Sequence, residues 1–160
     1  MHPDSKFCTA SIRYLESLAS ILGPRQVFFI SQDDKARVPI GLKAANKQSP
    51  ILMHLQYRVK LSDHDWVVAN RHKLIPSVYT GINIKPQGLG YPEAVTYSGP
   101  TYIAIRSGKH DSSSAESHAV DFNRLANLEE FRDITKIGDQ IMPLVIITVD
   151  GGPDENPRYL

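Results

Sequence analysis

Apolar residues recur along the 160-residue chain in two rhythms. Between positions 5 and 22 they come three or four apart: Cys8, Ile12, Leu15, Leu18 or Ala19, and Leu22. That spacing predicts an amphipathic helix with its stripe on a core, started by Asp4 or Ser5 and closed by Gly23-Pro24. A strand over 26–32 follows, ending at Asp33-Asp34-Lys35, then a short strand over 37–42. Residues 51–59 alternate strictly. Ile51, Met53, Leu55, Tyr57 and Val59 point one way and Leu52, His54, Gln56 and Arg58 the other, as in a strand with one buried face. Further strands are expected over 77–84 and 102–105. The Pro- and Gly-rich stretch 85–100 between them reads as a loop.

Ser113 with Glu116, and Asn127 with Glu130, read as capping boxes of two helices. The first carries Ala115, Ala119, Phe122 and Leu125 on one face. The second carries Leu128, Phe131 and Ile134 and ends at Gly138. The apolar, β-branched run 144–149 then reads as a strand buried on both faces in mid-sheet. It leads into Asp150, and Gly151, Gly152 and Pro153 stop it. A carboxylate at the C-terminal end of such a strand sits where open α/β sheets bind ligands.

Residues 27–34 repeat this grammar: four apolar residues, two polar ones, then Asp33 and Asp34. If the two strands are parallel neighbours, Asp150 meets one of those acids. Facing carboxylates raise each other's pKa unless a cation lies between them. Hard divalent ions take such oxygens, the basis of metal-assisted phosphoryl transfer. Asp33 is favoured as the first acid after the strand, with Asp34 left open.

Composition narrows the field. Hydrophobic content of 41% and charged content of 22% describe a globular chain long enough for one core. A net charge of +1 marks no strongly basic or acidic partner, although a local basic face is compatible with it. The one cysteine, Cys8, excludes an internal disulfide and suits a reducing compartment. The polar start is no signal peptide and no apolar run is of bilayer length, so an intracellular protein without a membrane partner is expected. No two of the six histidines have metal-ligand spacing, which argues against zinc. Ser112–Ser114 read as helix caps rather than nucleophiles.

The segments Ser31-Gln32-Asp33-Asp34-Lys35 and Val149-Asp150-Gly151-Gly152-Pro153-Asp154-Glu155-Asn156 give the chain a family resemblance. With the order of elements, it resembles the ribonuclease H-like fold, and within it the integrase-like catalytic core of DDE transposases. The resemblance implies an α/β mixed sheet with helices packed on it. The first strand is antiparallel to the second and parallel to a fourth reached through a helix. It implies Asp33 and Asp150 as catalytic acids and Asp33, Asp34 and Asp150 as ligands of Mg²⁺ or Mn²⁺. It also implies DNA as substrate, cleaved and transferred strand by strand, a homo-oligomeric full-length protein, and a nuclear location if the source is eukaryotic. The long separation of Asp33 and Asp150 calls for an insertion at about 43–100. The family's third acid, a helical Glu beyond the fourth strand, has no counterpart here. The chain therefore reads as a single partial domain, 1–160, incomplete at its C-terminus and inactive as this fragment. The alternative is a domesticated or relic fragment that only binds nucleic acid or protein, with Arg37, Lys43, Lys47, Arg58, Lys60, Arg71 and Lys73 as phosphate contacts.

Overall fold

The computed structural model describes residues 5–35, 37–42, 66–67 and 72–149. The elements are α1 (Ser5–Leu22), β1 (Val27–Asp34), β2 (Val38–Pro39), β3 (Gly41–Leu42), β4 (Trp66–Val67), β5 (Lys73–Gly81), β6 (Asn83–Ile84), β7 (Val95–Thr96) and β8 (Thr101–Ser107). Then come α2 (Ala115–Leu125), α3 (Arg132–Thr135), β9 (Lys136–Ile137), β10 (Gln140–Ile141) and β11 (Leu144–Thr148). The main sheet is mixed and five-stranded, in the order β11-β1-β5-β2 with β8 also paired to β5.

β1 is the buried strand. Val27 and Phe29 pack with Ala19 of α1, Ile82, Ile84, Val95 and Ile146 on one face. Phe28 and Ile30 pack on the other with Tyr79, Ala104, Leu125, Phe131 and Met142. A strand covered on both sides needs no polar alternation, which is why 27–30 is a continuous apolar run. β11 runs parallel to β1, from Val27 opposite Leu144 to Ser31 opposite Thr148. β5 is antiparallel to both β1 and β8.

Several expectations change. The 144–149 run is not buried on both faces: among the described strands β11 is the outer neighbour of β1, Ile146 is buried, and Val145 and Ile147 are exposed. The helices cover β1, and only the side chain of β11 that meets Phe29 shares that cover. The stretch read as an insertion contains β5, which pairs on both of its edges and stands where the 37–42 strand was expected. β2 pairs with β5 instead, through Val38 and Leu74. The alternating segment 51–59 lies outside the described residues.

In α1 the buried side chains are Glu16, Ala19 and Ser20, while Cys8, Ile12 and Leu22 are exposed. Gly23 closes the helix as expected, at φ 81°, with its N–H on the Ala19 carbonyl. The α2 cap falls on Ser114, whose side chain and that of Ser117 form the reciprocal box. The second expected helix is reduced to a 3₁₀ turn (Glu129–Phe131) and the single turn α3. Gly138, at φ 62°, turns the β9–β10 hairpin rather than ending a helix. No described helix is long and apolar enough to cross a membrane.

Candidate functional site: an acidic strand end backed by a buried polar network

Asp33 and Asp34 are the last two residues of β1, paired across the sheet with Val78 and Ser77 of β5. Consecutive strand residues project to opposite faces, so the two carboxylates diverge. Asp33 falls in register with Val27 and Phe29, on the α1 face; Asp34 falls with Phe28 and Ile30, on the α2 face. The strand's parity thus separates two acids that the sequence left as alternatives. Asp150 lies outside the described residues. The parallel ladder ends at Ser31 and Thr148, and in the sequence Asp33 and Asp150 each stand two positions beyond that pair.

Asp33 is half-exposed and forms an ion pair with the exposed Lys35. Asp34 is tied inward: the Ser77 hydroxyl donates to its Oδ1, and Arg106 Nη1 donates to the Ser77 oxygen. Arg106 also donates through Nη2 to Asp121 Oδ2 and, at 3.5 Å, to the Tyr79 hydroxyl. Tyr79 in turn donates to Asp121 Oδ2 at 3.1 Å and lies 2.7 Å from Nδ1 of His118. Nε2 of His118 is 2.9 Å from the Ser113 hydroxyl. Ser77, Tyr79, Arg106, His118 and Asp121 are all buried. The network runs from α2 through β8 and β5 to the end of β1.

Tyr79 has one hydrogen; with Asp121 as its acceptor, Nδ1 of His118 is the donor to Tyr79. Burial pushes the Tyr79 hydroxyl far above its ordinary pKa, against the pull of the Arg106 hydrogen bond. Burial pulls Arg106 down, but the Tyr79 hydrogen bond and the Asp121, Tyr79 and Asp34 charges outweigh it and the net shift is upward. The guanidinium stays charged in the interior because each side of it meets an acceptor.

This arrangement was hidden in the sequence for a definable reason. The α2 face expected inward was Ala115, Ala119, Phe122 and Leu125; the buried residues are His118, Asp121 and Leu125, with Ala115 and Ala119 exposed. The helix is turned to bring Asp121 onto Arg106. A His and an Asp three apart on one face were the available signal, and it points to a buried pair only once a partner cation is known.

Beside the network, β8 and α2 enclose an open cleft of ≈ 510 Å³ lined by Arg106, Asp111, Glu116, Asp121 and Arg124 among others. Among the described residues, no group of three or more His, Cys, Asp and Glu side chains is placed to hold a metal ion. Among the described residues at that end of β1 and β11, Asp33 offers a half-exposed carboxylate, paired with the Lys35 ammonium. No family model, no curated protein and no solved structure matches the chain.

Proposed function

We propose that the chain is a catalytic core of ribonuclease H-like design, derived from a DDE transposase, for metal-dependent cleavage and transfer of DNA strands. The observation that carries this reading is the placement of β1, with an antiparallel partner in β5 on one edge and the parallel, helix-linked β11 on the other. That is the strand plan the resemblance calls for, and it is the plan that lets acids far apart in sequence share one sheet edge.

Within this reading Asp33 and Asp150 are the metal-holding acids. The equal offset of the two from the Ser31–Thr148 pair favours Asp33 over Asp34. Asp34 serves as an anchor, its carboxylate fixed through Ser77 to Arg106 so that the end of β1 holds its direction. Asp33 and Asp150 would hold Mg²⁺ or Mn²⁺, which would supply activation of a water or a 3′-hydroxyl and charge neutralisation at the phosphate. Lys35 would yield its place on Asp33 to that ion.

The test is Mn²⁺ titration with wild type, Asp33→Asn, Asp34→Asn and Asp150→Asn, followed by a nicking assay on duplex DNA. Loss of affinity in the Asp33 and Asp150 variants is expected. Equal affinity across all four proteins removes the metal role. A binding-only role is the second reading, favoured by the exposed Arg37 and by Lys73, which lies beyond the end of β1 and in register with Ser77 on the Asp34 face.

A further inference from the structure

The expected phosphate contacts were scattered through the sequence, and most of them lie outside the described residues. The fold gathers two of them, Arg37 and Lys73, with three others at one corner. The turn after β8 folds back on the start of β5, and the Gly108 N–H reaches the Lys73 carbonyl at 2.7 Å. This brings Lys109 and His110 beside Lys73 and His72, residues more than thirty positions away. The two imidazoles meet edge to face, with ring centres 6.0 Å apart. Lys73, Lys109 and His110 are exposed and His72 is half-buried. Arg37, also exposed, precedes the Val38–Leu74 pair on the neighbouring strand. Asp111 is the acid next to this group in the chain, and one of its carboxylate oxygens accepts from the Ser112 N–H.

We propose that His72, Lys73, Lys109 and His110, with Arg37 alongside, form a clamp for the phosphate backbone of a DNA strand entering the site, an assignment that rests on the DNA reading above. Two ammonium groups, a guanidinium and two imidazole edges present donors to one surface. None of the three cations has an ion pair among the described residues. That combination suits a run of phosphates rather than one buried anion, because the donors are exposed and spread along the corner.

The corner has a defined offset from the acids. From Lys73, β5 runs to Ser77 and Val78, the partners of Asp34 and Asp33, over roughly 13–17 Å at ~3.3 Å per residue. Lys73 shares the face of Ser77 and Asp34, so a strand gripped there reaches Asp33 around the end of the sheet, about four or five nucleotides on at ~3.4 Å per nucleotide of one strand. Sequence-independent grip at that distance holds register without reading bases.

The experiment uses the full chain and a fluorescent duplex of about 20 base pairs, with anisotropy read across a salt series. Each phosphate contact removed lowers the log–log salt slope by ~0.9. The Lys73→Ala, Lys109→Ala double variant should lose about two units of slope, and Lys85→Ala, away from the corner, none. The Lys73→Ala, Lys109→Ala double variant should keep the Mn²⁺ affinity of wild type, which separates the clamp from the metal reading. A duplex with neutral methylphosphonates four and five nucleotides from the nicked bond should mimic the double variant. An unchanged slope in the double variant overturns the clamp, as does binding that is absent or insensitive to salt. Normal clamp behaviour with no Mn²⁺ affinity overturns the catalytic reading alone.

Discussion

Tyr79 and His118, 39 residues apart in the chain, share a 2.7 Å hydrogen bond in the interior. Because the Tyr79 proton goes to Asp121, His118 carries its hydrogen on Nδ1. Nitrogen-15 NMR of the ring should report the Nδ1–H tautomer at neutral pH. An Nε2–H signal would mean that Tyr79 donates to the histidine and that Asp121 depends on arginine alone. Tyr79→Phe leaves one buried acceptor and one buried donor short, and should cost about 1–3 kcal/mol in urea unfolding.

Among the described ion pairs, Arg106–Asp121 is buried on both sides, which makes it costly to break on one. Asp121→Ala leaves a buried guanidinium with its charge uncompensated, and a loss of about 3–5 kcal/mol is expected. Replacing both, Arg106→Met with Asp121→Leu, should recover most of that loss. A double variant no better than the single would show that the ion pair itself, rather than the penalty of an orphaned charge, sustains the fold.

Alkaline pH should find the same region. Tyr79 is raised far above 10.0, and burial together with the hydrogen bond to Glu16 pushes Tyr97 up to about 12. The unfolded chain loses these protons near the ordinary value and the folded chain keeps them. The folded state is then the one with more protons bound, so its advantage is whole below pH 10 and shrinks as pH climbs through about 12. Tyrosinate absorbance of the native protein should show two side chains, Tyr79 and Tyr97, still protonated at pH 11. Tyr97→Phe should reduce that number to one and soften the alkaline loss of stability.

The α2 cap offers a local test. Ser114→Ala removes the acceptor for the Ser117 N–H and should cost about 1 kcal/mol. Ser113→Ala should leave helix capping intact and instead deprive His118 Nε2 of its hydroxyl partner, an effect seen in the ring's NMR shifts rather than in helix content.

Legibility followed covalent locality. α1, β1, β8 and β11 were visible because each carries its signal within one segment: a 3.6 period, or an apolar run bounded by Gly, Pro or acid. The parallel β1–β11 pairing, posed as a condition on the matching grammar of 27–34 and 144–150 and implied by the resemblance, is present. The edge position of β11 did not, since a β-branched run looks the same whether one or both faces are covered, and cover is a property of other elements. β5 was shortened to 77–84 because Pro76 and the basic 71–73 cluster interrupt its apolar alternation, although Ile75 is buried. The buried network was least visible. Arg106 and Asp121 look like surface charges until β8 and α2 are packed face to face.

β11 completes β1 across a long stretch of chain: the Thr148 hydroxyl reaches the Ile30 carbonyl across 118 residues. Closing so long a loop spends chain entropy before any contact repays it, so the two strands join late and slowly. A polypeptide still emerging from the ribosome would hold β1 without its parallel partner until more than a hundred further residues had been added. Refolding experiments should therefore show the β5–β8 hairpin protected from hydrogen exchange well before β1 and β11 are.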